Sequence, residues 1–170
     1  MRTFKDLIQE QPSYKPLPNG WYLCALDSVN LKKTPNNLEY IGLMFRIQDG
    51  QYQNRVMFLN IFPYTKEGEV NEVAINILAQ AISAMMGKPA SETDIFDTDK
   101  VDELVEKLKP LTGKRLGVFS KLRERISNGK PVADAIPSDF RTEEIYLREF
   151  ADKSVEDEDL ADEDDDEIPF

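Results

Sequence analysis

The strongest constraint on the fold is that the spacing of apolar residues changes twice along the chain. Residues 38–48 alternate between apolar and polar side chains, as a half-buried strand does. Residues 73–85 instead place apolar side chains every three or four positions, as one face of a helix does. Strands are predicted over 21–31, 38–48, 53–62 and 114–126. One helix is predicted to carry the apolar stripe over 73–85 and to stop at Gly87, and a second is predicted to begin after Thr98 or Asp99 and to end at Pro110 and Gly113.

Turn signals separate these elements. Asp49-Gly50 is a strong turn signal, and Asn128-Gly129 marks a further turn. A polar loop over 32–37 separates the first two strands. The third strand is apolar on both faces, so its register stays open. After a loose, proline-containing stretch, residues 145–150 are predicted as the last strand.

Four rows of side chains are predicted to face the core, because they share one face of their element. They are Ile41, Leu43, Phe45 and Ile47 in the second strand; Val73, Ile77, Leu78, Ala81, Ile82 and Met85 in the first helix; Val101, Leu104, Val105 and Leu108 in the second helix, capped by Thr98 or Asp99; and Leu116, Val118, Leu122 and Ile126 in the fourth strand.

The order of elements predicts the fold class. Three strands, helices and then further strands match a mainly β, five-stranded Greek-key barrel with its helices between strands three and four, which is the OB-fold pattern. A flat α+β sheet with the same order is the alternative.

The acidic charge of the chain is concentrated at one end. Of 32 acidic and 21 basic residues, eleven acids and one base lie in 151–170, which leaves a body of 21 acids and 20 bases. Such a dense block of like charges predicts a disordered tail. The 170 residues thus divide into an N-terminal arm (1–19), one folded domain (20–150) and an acidic tail (151–170).

Residue types exclude most catalytic chemistry. The chain has no histidine, which excludes Ser-His-Asp and Cys-His catalysis and zinc sites of the Cys/His kind. Its single cysteine, Cys24, cannot form an internal disulfide, which favours the cytoplasm. Gly113-Lys114 lacks the upstream glycine of a phosphate-binding loop, because that position holds Leu108. We therefore predict a protein that is not an enzyme, with no metal, cofactor, signal peptide or membrane span.

The predicted fourth strand carries the most specific functional signal of the body. An aromatic ring among cations on one strand face suits single-stranded nucleic acid, because cations pair with phosphates and the ring stacks on a base. The residues predicted to share this outward face are Arg115, Phe119, Lys121, Arg123 and Arg125. Phe119→Ala is therefore expected to weaken binding more than it destabilises the fold. The alternative is an ordinary charged solvent face of an antiparallel sheet.

Further candidates join this face if the barrel is formed. Lys32 and Lys33 are predicted in the loop between strands one and two, which is one of the two loops that grip oligonucleotides in OB-folds. Tyr40 and Arg46 share the polar face of the second strand, and Arg55 follows it. Tyr52, Tyr64 and Trp21 are weaker candidates, and packing is the preferred interpretation for Phe45, Phe58 and Trp21.

The chain ends in an apolar tripeptide after its acidic run. A terminal phenylalanine can fill a small apolar pocket, while its free carboxylate pairs with a basic residue at the rim. The predicted partner-binding residues are Asp165, Asp166, Ile168, Pro169 and Phe170. This ending resembles the C-terminal tip of bacterial single-stranded DNA-binding proteins, from which only the inserted Glu167 departs. The resemblance implies that the tip recruits replication, recombination and repair enzymes.

The body resembles a different family. Residues 20–87 are similar to phage-encoded proteins that are found near recombination genes and are thought to bind single-stranded DNA. The motifs that carry this resemblance are Gly20-Trp21-Tyr22, Lys33-Thr34, Phe45-Arg46-Ile47, Asp49-Gly50, Asn54-Arg55 and Met86-Gly87. It implies a bacteriophage source and action in the bacterial host cytoplasm.

The sequence thus predicts a single-stranded DNA-binding protein that protects the strand without reading its sequence and recruits enzymes through its tip. Weaker binding of duplex DNA stays open, since phosphate contacts allow it. The alternative is an acidic inhibitor or DNA mimic that occupies host replication or repair proteins without binding DNA.

Overall fold

The computed structural model describes residues 17–151. Almost all of the predicted N-terminal segment (1–19) and of the predicted tail (151–170) therefore lies outside the described residues. Five strands, three α-helices and two short 3-10 helices, Ala90–Glu92 and Lys109–Leu111, lie within the described residues. The strands are β1 (Gly20–Lys33), β2 (Glu39–Ile47), β3 (Val56–Ile61), β4 (Arg115–Ser127) and β5 (Lys130–Thr142). The helices are α1 (Glu72–Met86), α2 (Val101–Leu108) and α3 (Glu143–Ile145), which continues into a π-helical turn over Tyr146–Phe150.

One antiparallel sheet holds all five strands, in the order β3-β2-β1-β4-β5. The long strand β1 changes partners along its length. Residues Gly20 to Ala25 pair with β4, whereas Cys24 to Lys33 pair with β2, and the register shifts between Leu26 and Ser28. A bulge of this kind bends a strand and increases its twist, so β1 belongs to two walls of a curved sheet.

The sheet curls until its two edge strands, β3 and β5, line one cleft of about 430 Å³. With the helices α1 and α2 between β3 and β4, this is the predicted five-stranded, partly open Greek-key barrel of the OB-fold. The core row of β2 is confirmed, since Ile41, Leu43, Phe45 and Ile47 are all buried.

The helices cover one side of the barrel. Asn71 caps α1 by accepting a hydrogen bond from the Ala74 amide, and α1 ends at Gly87, whose φ of 73° suits glycine. The prediction that Val73 belongs to the core stripe of α1 is wrong, because its position in the first turn leaves its side chain 71% exposed. The apolar face of α2 is confirmed: Val101, Leu104, Val105 and Leu108 are buried.

Two predicted boundaries are corrected. Lys32 and Lys33 do not lie in the first loop: they are the last residues of β1, where they pair with Tyr40 and Glu39. The ladder continues because the turn is short, with the amide of Thr34 bonded to the carbonyl of Leu38. The cap of α2 is Lys100 rather than Thr98 or Asp99. The Thr98 hydroxyl accepts a hydrogen bond from the Lys100 amide, two residues further along the chain.

The predicted last strand is wrong. Residues 145–150 are helical, and the loose stretch before them is β5. Asn128 and Gly129 both have positive φ, at 54° and 78°, so the turn sends the chain directly back along β4. The prolines of β5 are tolerated because it is an edge strand, and Pro137 lies at a shift in its register.

The hairpin of β4 and β5 extends beyond the barrel. The side chains of residues 121–126 are all exposed, so we call residues 121–136 the arm. Leu116 and Val118 face the core as predicted, but Leu122 and Ile126 are 40% and 69% exposed. The alternation of the sequence sets the face of a side chain but does not show where the barrel ends. Within the described residues, no helix is long and apolar enough to cross a membrane.

Candidate nucleic-acid interface

The outer face of β2 and β3 presents an open aromatic ring. Met57, Leu59 and Ile61 of β3 face the core, which leaves Phe58 and Asn60 on the outside. Phe58 lies opposite Met44 in the register and is 50% exposed. Hence Phe58 is not buried in the core, and of the core or rim packing that the sequence favoured only a position at the rim fits this exposure.

A stacked aromatic pair lies at the end of this face. The Tyr40 and Phe62 rings are stacked, with centroids 4.5 Å apart and an angle of 17° between the planes. Lys32 pairs with Tyr40 in the register, and its side chain passes over Gly42. A Cβ atom at Gly42 would lie 2.9 Å from the Lys32 Cε atom, so the absent side chain leaves room for this ammonium on the face.

Arg46 lies at the opposite end of the same face, where its guanidinium is already occupied. Two of its nitrogens donate to the Asp27 carboxylate, each at 3.2 Å, and a third donates to the Asn54 carbonyl at 3.0 Å. The hydrogen bond to Asp27 raises the pKa of Arg46 above its ordinary value. Arg46 is therefore better suited to fixing the edge of the face than to meeting a phosphate alone.

The cleft between β3 and β5 adds cations to this face. Phe58 and Asn60 line one side, and Arg123 and Arg125 of the arm line it as well. The Arg125 guanidinium pairs with Asp134 on β5, and this hydrogen bond lowers the pKa of the Asp134 carboxyl. The cleft thus brings together an open ring and two guanidiniums, with Asp134 paired to Arg125 and opposite Arg123 in the register. We call Lys32, Tyr40, Phe58, Phe62, Arg123 and Arg125 the open face.

A different aromatic cluster lies on the outside of β1 and β4. Trp21 stacks on Phe150 with centroids 4.3 Å apart, and Phe119 meets Trp21 edge-on at 5.5 Å. The Arg141 guanidinium lies 5.4 Å from the Trp21 ring. The helical residues 143–150 cover this cluster, and Tyr146 packs where Gly117 lacks a side chain. We call Trp21, Phe119, Arg141, Tyr146 and Phe150 the covered cluster.

The predicted site residues therefore do not form one surface. Lys32, Tyr40, Arg46, Arg123 and Arg125 lie on or around the open face, whereas Phe119 belongs to the covered cluster. Arg115 pairs with Glu143 at 3.4 Å, and Lys33 pairs with Glu39 in the ladder. Arg55 lies over the Tyr52 ring at 5.7 Å, and Lys121 is exposed on the arm. Tyr64 donates to the Asp99 carbonyl, away from the open face.

The sequence analysis assigned Phe58 to packing and did not single out Phe62. The signal for Phe58 was its polar neighbour Asn60, which shares its face and indicates that this face is the outer one. The predicted partner-binding residues, Asp165, Asp166, Ile168, Pro169 and Phe170, lie outside the described residues.

Comparisons with known proteins give little guidance. No family model and no curated protein matches the chain. Among solved structures, it is similar to a chain of yeast RPA bound to ssDNA, with a TM-score of 0.38 and 8% identity, over 99% of this chain and 98% of that one. A TM-score this low decides neither fold nor function, which rest on the strand order and side chains of the chain itself.

Proposed function

We propose that the protein binds single-stranded DNA on the open face without reading its sequence. The observation that carries this proposal is the half-exposed Phe58 ring at a cleft that also holds Arg123 and Arg125. A base can stack on such a ring whatever its identity, while guanidiniums pair with the phosphates on either side. The outer face of strands two and three is also where OB-folds bind oligonucleotides.

The remaining aromatic and cationic groups extend the path of the strand. The Tyr40 and Phe62 pair and the Lys32 ammonium lie further along the same face, past Gly42. A ring can stack on any base and a cation can pair with any phosphate, so these groups support binding that does not depend on sequence. We propose a site of a handful to about a dozen nucleotides per fold.

The biological role that we propose follows from the sequence of the tail. The protein covers single-stranded DNA during phage DNA replication, recombination and repair, in the cytoplasm of a bacterial host. Its last residues recruit enzymes of these processes, because Ile168-Pro169-Phe170 can dock in an apolar pocket with a basic rim. This part of the proposal is supported by the resemblance of the tip to that of bacterial single-stranded DNA-binding proteins.

The decisive experiment is fluorescence anisotropy of a labelled oligo-dT with the full chain at low and at physiological salt. We expect binding that weakens with salt, with a slope of about −0.7 for each phosphate contact. Absence of binding at low salt, for the full chain and for a chain without residues 156–170, would contradict the proposal. That result would favour the acidic inhibitor, which needs partner proteins but no DNA.

Deletion of residues 156–170 tests whether the tail competes with DNA. The deletion removes ten acidic residues and no basic one. Because these acids would compete with DNA for the basic arm, the shortened chain should bind oligo-dT more tightly. The effect should be largest at low salt, because screening weakens the attraction of the tail to the basic arm. Equal affinity of the two chains at low salt would rule out this competition, and a scrambled tail of the same composition separates charge from sequence.

A further inference from the structure

The first described residue of the chain, Leu17, lies in the cleft between β3 and β5. It lines this cleft together with Phe58, Arg123 and Arg125. Its side chain is 1% exposed and belongs to the hydrophobic core. The chain therefore passes through the cleft of the open face before it enters β1.

The residues directly after this entry are tied to the barrel and to the arm. The Tyr22 hydroxyl, on a side chain that is buried in the core, donates to the Pro18 carbonyl at 2.8 Å. The Leu122 amide, at the start of the arm, donates to the Asn19 side-chain carbonyl at 2.7 Å. The point at which residues 1–16 join the fold is thus fixed beside the groups that we assign to DNA.

An aromatic residue and a cation precede this point directly. The sequence before Leu17 is Tyr14-Lys15-Pro16. Three residues span at most roughly 11 Å even when fully extended. Connectivity alone therefore keeps Tyr14 and Lys15 close to the cleft, whatever conformation the chain before them adopts.

The cleft lacks a second ring that a bound strand could use. Among the described residues that line it, Phe58 is the one aromatic side chain. Single-stranded nucleic acid is held by successive bases that stack on aromatic side chains, along a groove whose cations follow the backbone. Tyr14 and Lys15 supply one further group of each kind.

Charge at the cleft favours the same role for Lys15. The described acid that lines the cleft, Asp134, is already paired with Arg125. In the sequence, the acids nearest to Lys15 are Glu10 and Asp27, five residues before it and twelve after it. An ammonium beside the cleft therefore adds positive charge where the strand brings its phosphates.

We propose that Tyr14 and Lys15 complete the DNA site at this cleft. The Tyr14 ring stacks on a base next to the one on Phe58, and the Lys15 ammonium pairs with a phosphate. This inference rests on the proposed function and adds two binding residues from outside the barrel. Because Leu17 is anchored in the core, the short tether keeps both groups at a high effective concentration beside the strand.

Three substitutions in the full chain test this assignment by fluorescence anisotropy with labelled oligo-dT. Tyr14→Ala should weaken binding by about five- to tenfold, because one stacked base loses its platform. Tyr14→Phe keeps the ring and should bind as the unmodified chain does. Lys15→Gln should make the plot of log affinity against log salt shallower by about 0.7, which corresponds to one phosphate contact.

The chain offers a matched control for position. Phe4-Lys5 is a second aromatic residue followed by a lysine, ten residues further from the cleft. Phe4→Ala and Lys5→Gln should leave the affinity and the salt slope unchanged, because the longer tether no longer holds this pair beside the strand.

An abasic strand separates stacking from a role of Tyr14 in folding. Such a strand keeps the phosphates but has no base to stack, so Tyr14→Ala should bind it as tightly as the unmodified chain does. A lower melting temperature in Tyr14→Ala, with an equal loss of affinity for the abasic strand and for oligo-dT, would make Tyr14 a packing residue and overturn the inference.

Two further results would overturn this inference while the DNA proposal stands. The first is that Phe58→Ala weakens binding to oligo-dT, whereas Tyr14→Ala and Lys15→Gln bind as the unmodified chain does. The second is an equal loss in the Phe4→Ala and Lys5→Gln variants, which would assign the effect to composition rather than to the position beside the cleft. An unmodified chain that does not bind oligo-dT at low salt would instead contradict both proposals.

Discussion

The open face and the covered cluster are built from the same kinds of side chain. Phe58 lies beside two guanidiniums at a cleft, and Trp21 lies beside Arg141 and Phe119. The difference is that the helical residues 143–150 stack Phe150 on Trp21, whereas the described residues place no ring over Phe58. Aromatic and cationic residues therefore do not define a binding surface by themselves, because the chain can use the same chemistry to attach its own helix.

The largest expected effect is on stability in the covered cluster. Phe119→Ala removes a half-buried ring and its edge contact with Trp21. We expect a loss of about 2–3 kcal/mol in the free energy of unfolding, below the roughly 3–5 kcal/mol of a fully buried phenylalanine. Urea unfolding measures this loss, and anisotropy with oligo-dT should show little change in affinity. A stable variant that binds much more weakly would restore the stacking role that the sequence predicted for Phe119.

The next effect is the converse, on binding at the open face. Phe58→Ala should reduce the affinity for oligo-dT by about 1–3 kcal/mol, which is about 5- to 150-fold, because a stacked base loses its platform. The melting temperature should hardly change, since the ring is half exposed. Leu147→Ala is the matched control, as an apolar truncation at a similar exposure on another surface. Unchanged affinity in Phe58→Ala would remove the observation on which the DNA proposal depends.

The contrast also shows how far the sequence could predict the site. Alternation identified the core face of β2, because polar residues mark its other side. It left the register of β3 open, because apolar residues occupy both of its faces, and only Asn60 on the same face as Phe58 indicated which side is the outer one. For Phe119 the alternation correctly predicted the outer side of the strand, but it did not predict the helical segment 143–150 that covers this side.

The last strand shows a different limit. Two prolines prevented the prediction of β5 as a strand. An edge strand nevertheless tolerates proline at positions where no amide is needed for the ladder. Residues 145–150 were predicted as a strand from composition alone, whereas the Thr142 hydroxyl accepts from the Ile145 amide and begins a helix. A helix cap of this kind can be predicted from the local sequence, but only when the end of the preceding strand has been predicted correctly.

A smaller effect is expected from the cations of the cleft. Replacing Arg123 and Arg125 together by glutamine removes two charges that we assign to phosphates. The plot of log affinity against log salt should become shallower by about 1.4, from about 0.7 for each contact. Lys88 and Lys109, exposed on other surfaces, give a charge-matched double variant with the original slope. A slope unchanged in the arm variant would place the strand away from the cleft.

The smallest effect should be a gain of affinity at the ion pair in the cleft. Asp134 holds the Arg125 guanidinium, and the hydrogen bond from Arg125 lowers the pKa of Asp134, so its carboxylate is charged at neutral pH. A phosphate must compete with this carboxylate for the guanidinium. Asp134→Asn removes the competing charge while keeping the size of the side chain, and oligo-dT should bind about two- to five-fold more tightly at low salt. The same substitution in a chain with Arg123→Gln and Arg125→Gln should give a much smaller gain, because both cations beside Asp134 are gone. An equal gain in both backgrounds would mean that Asp134 repels the strand directly rather than by competing for these arginines.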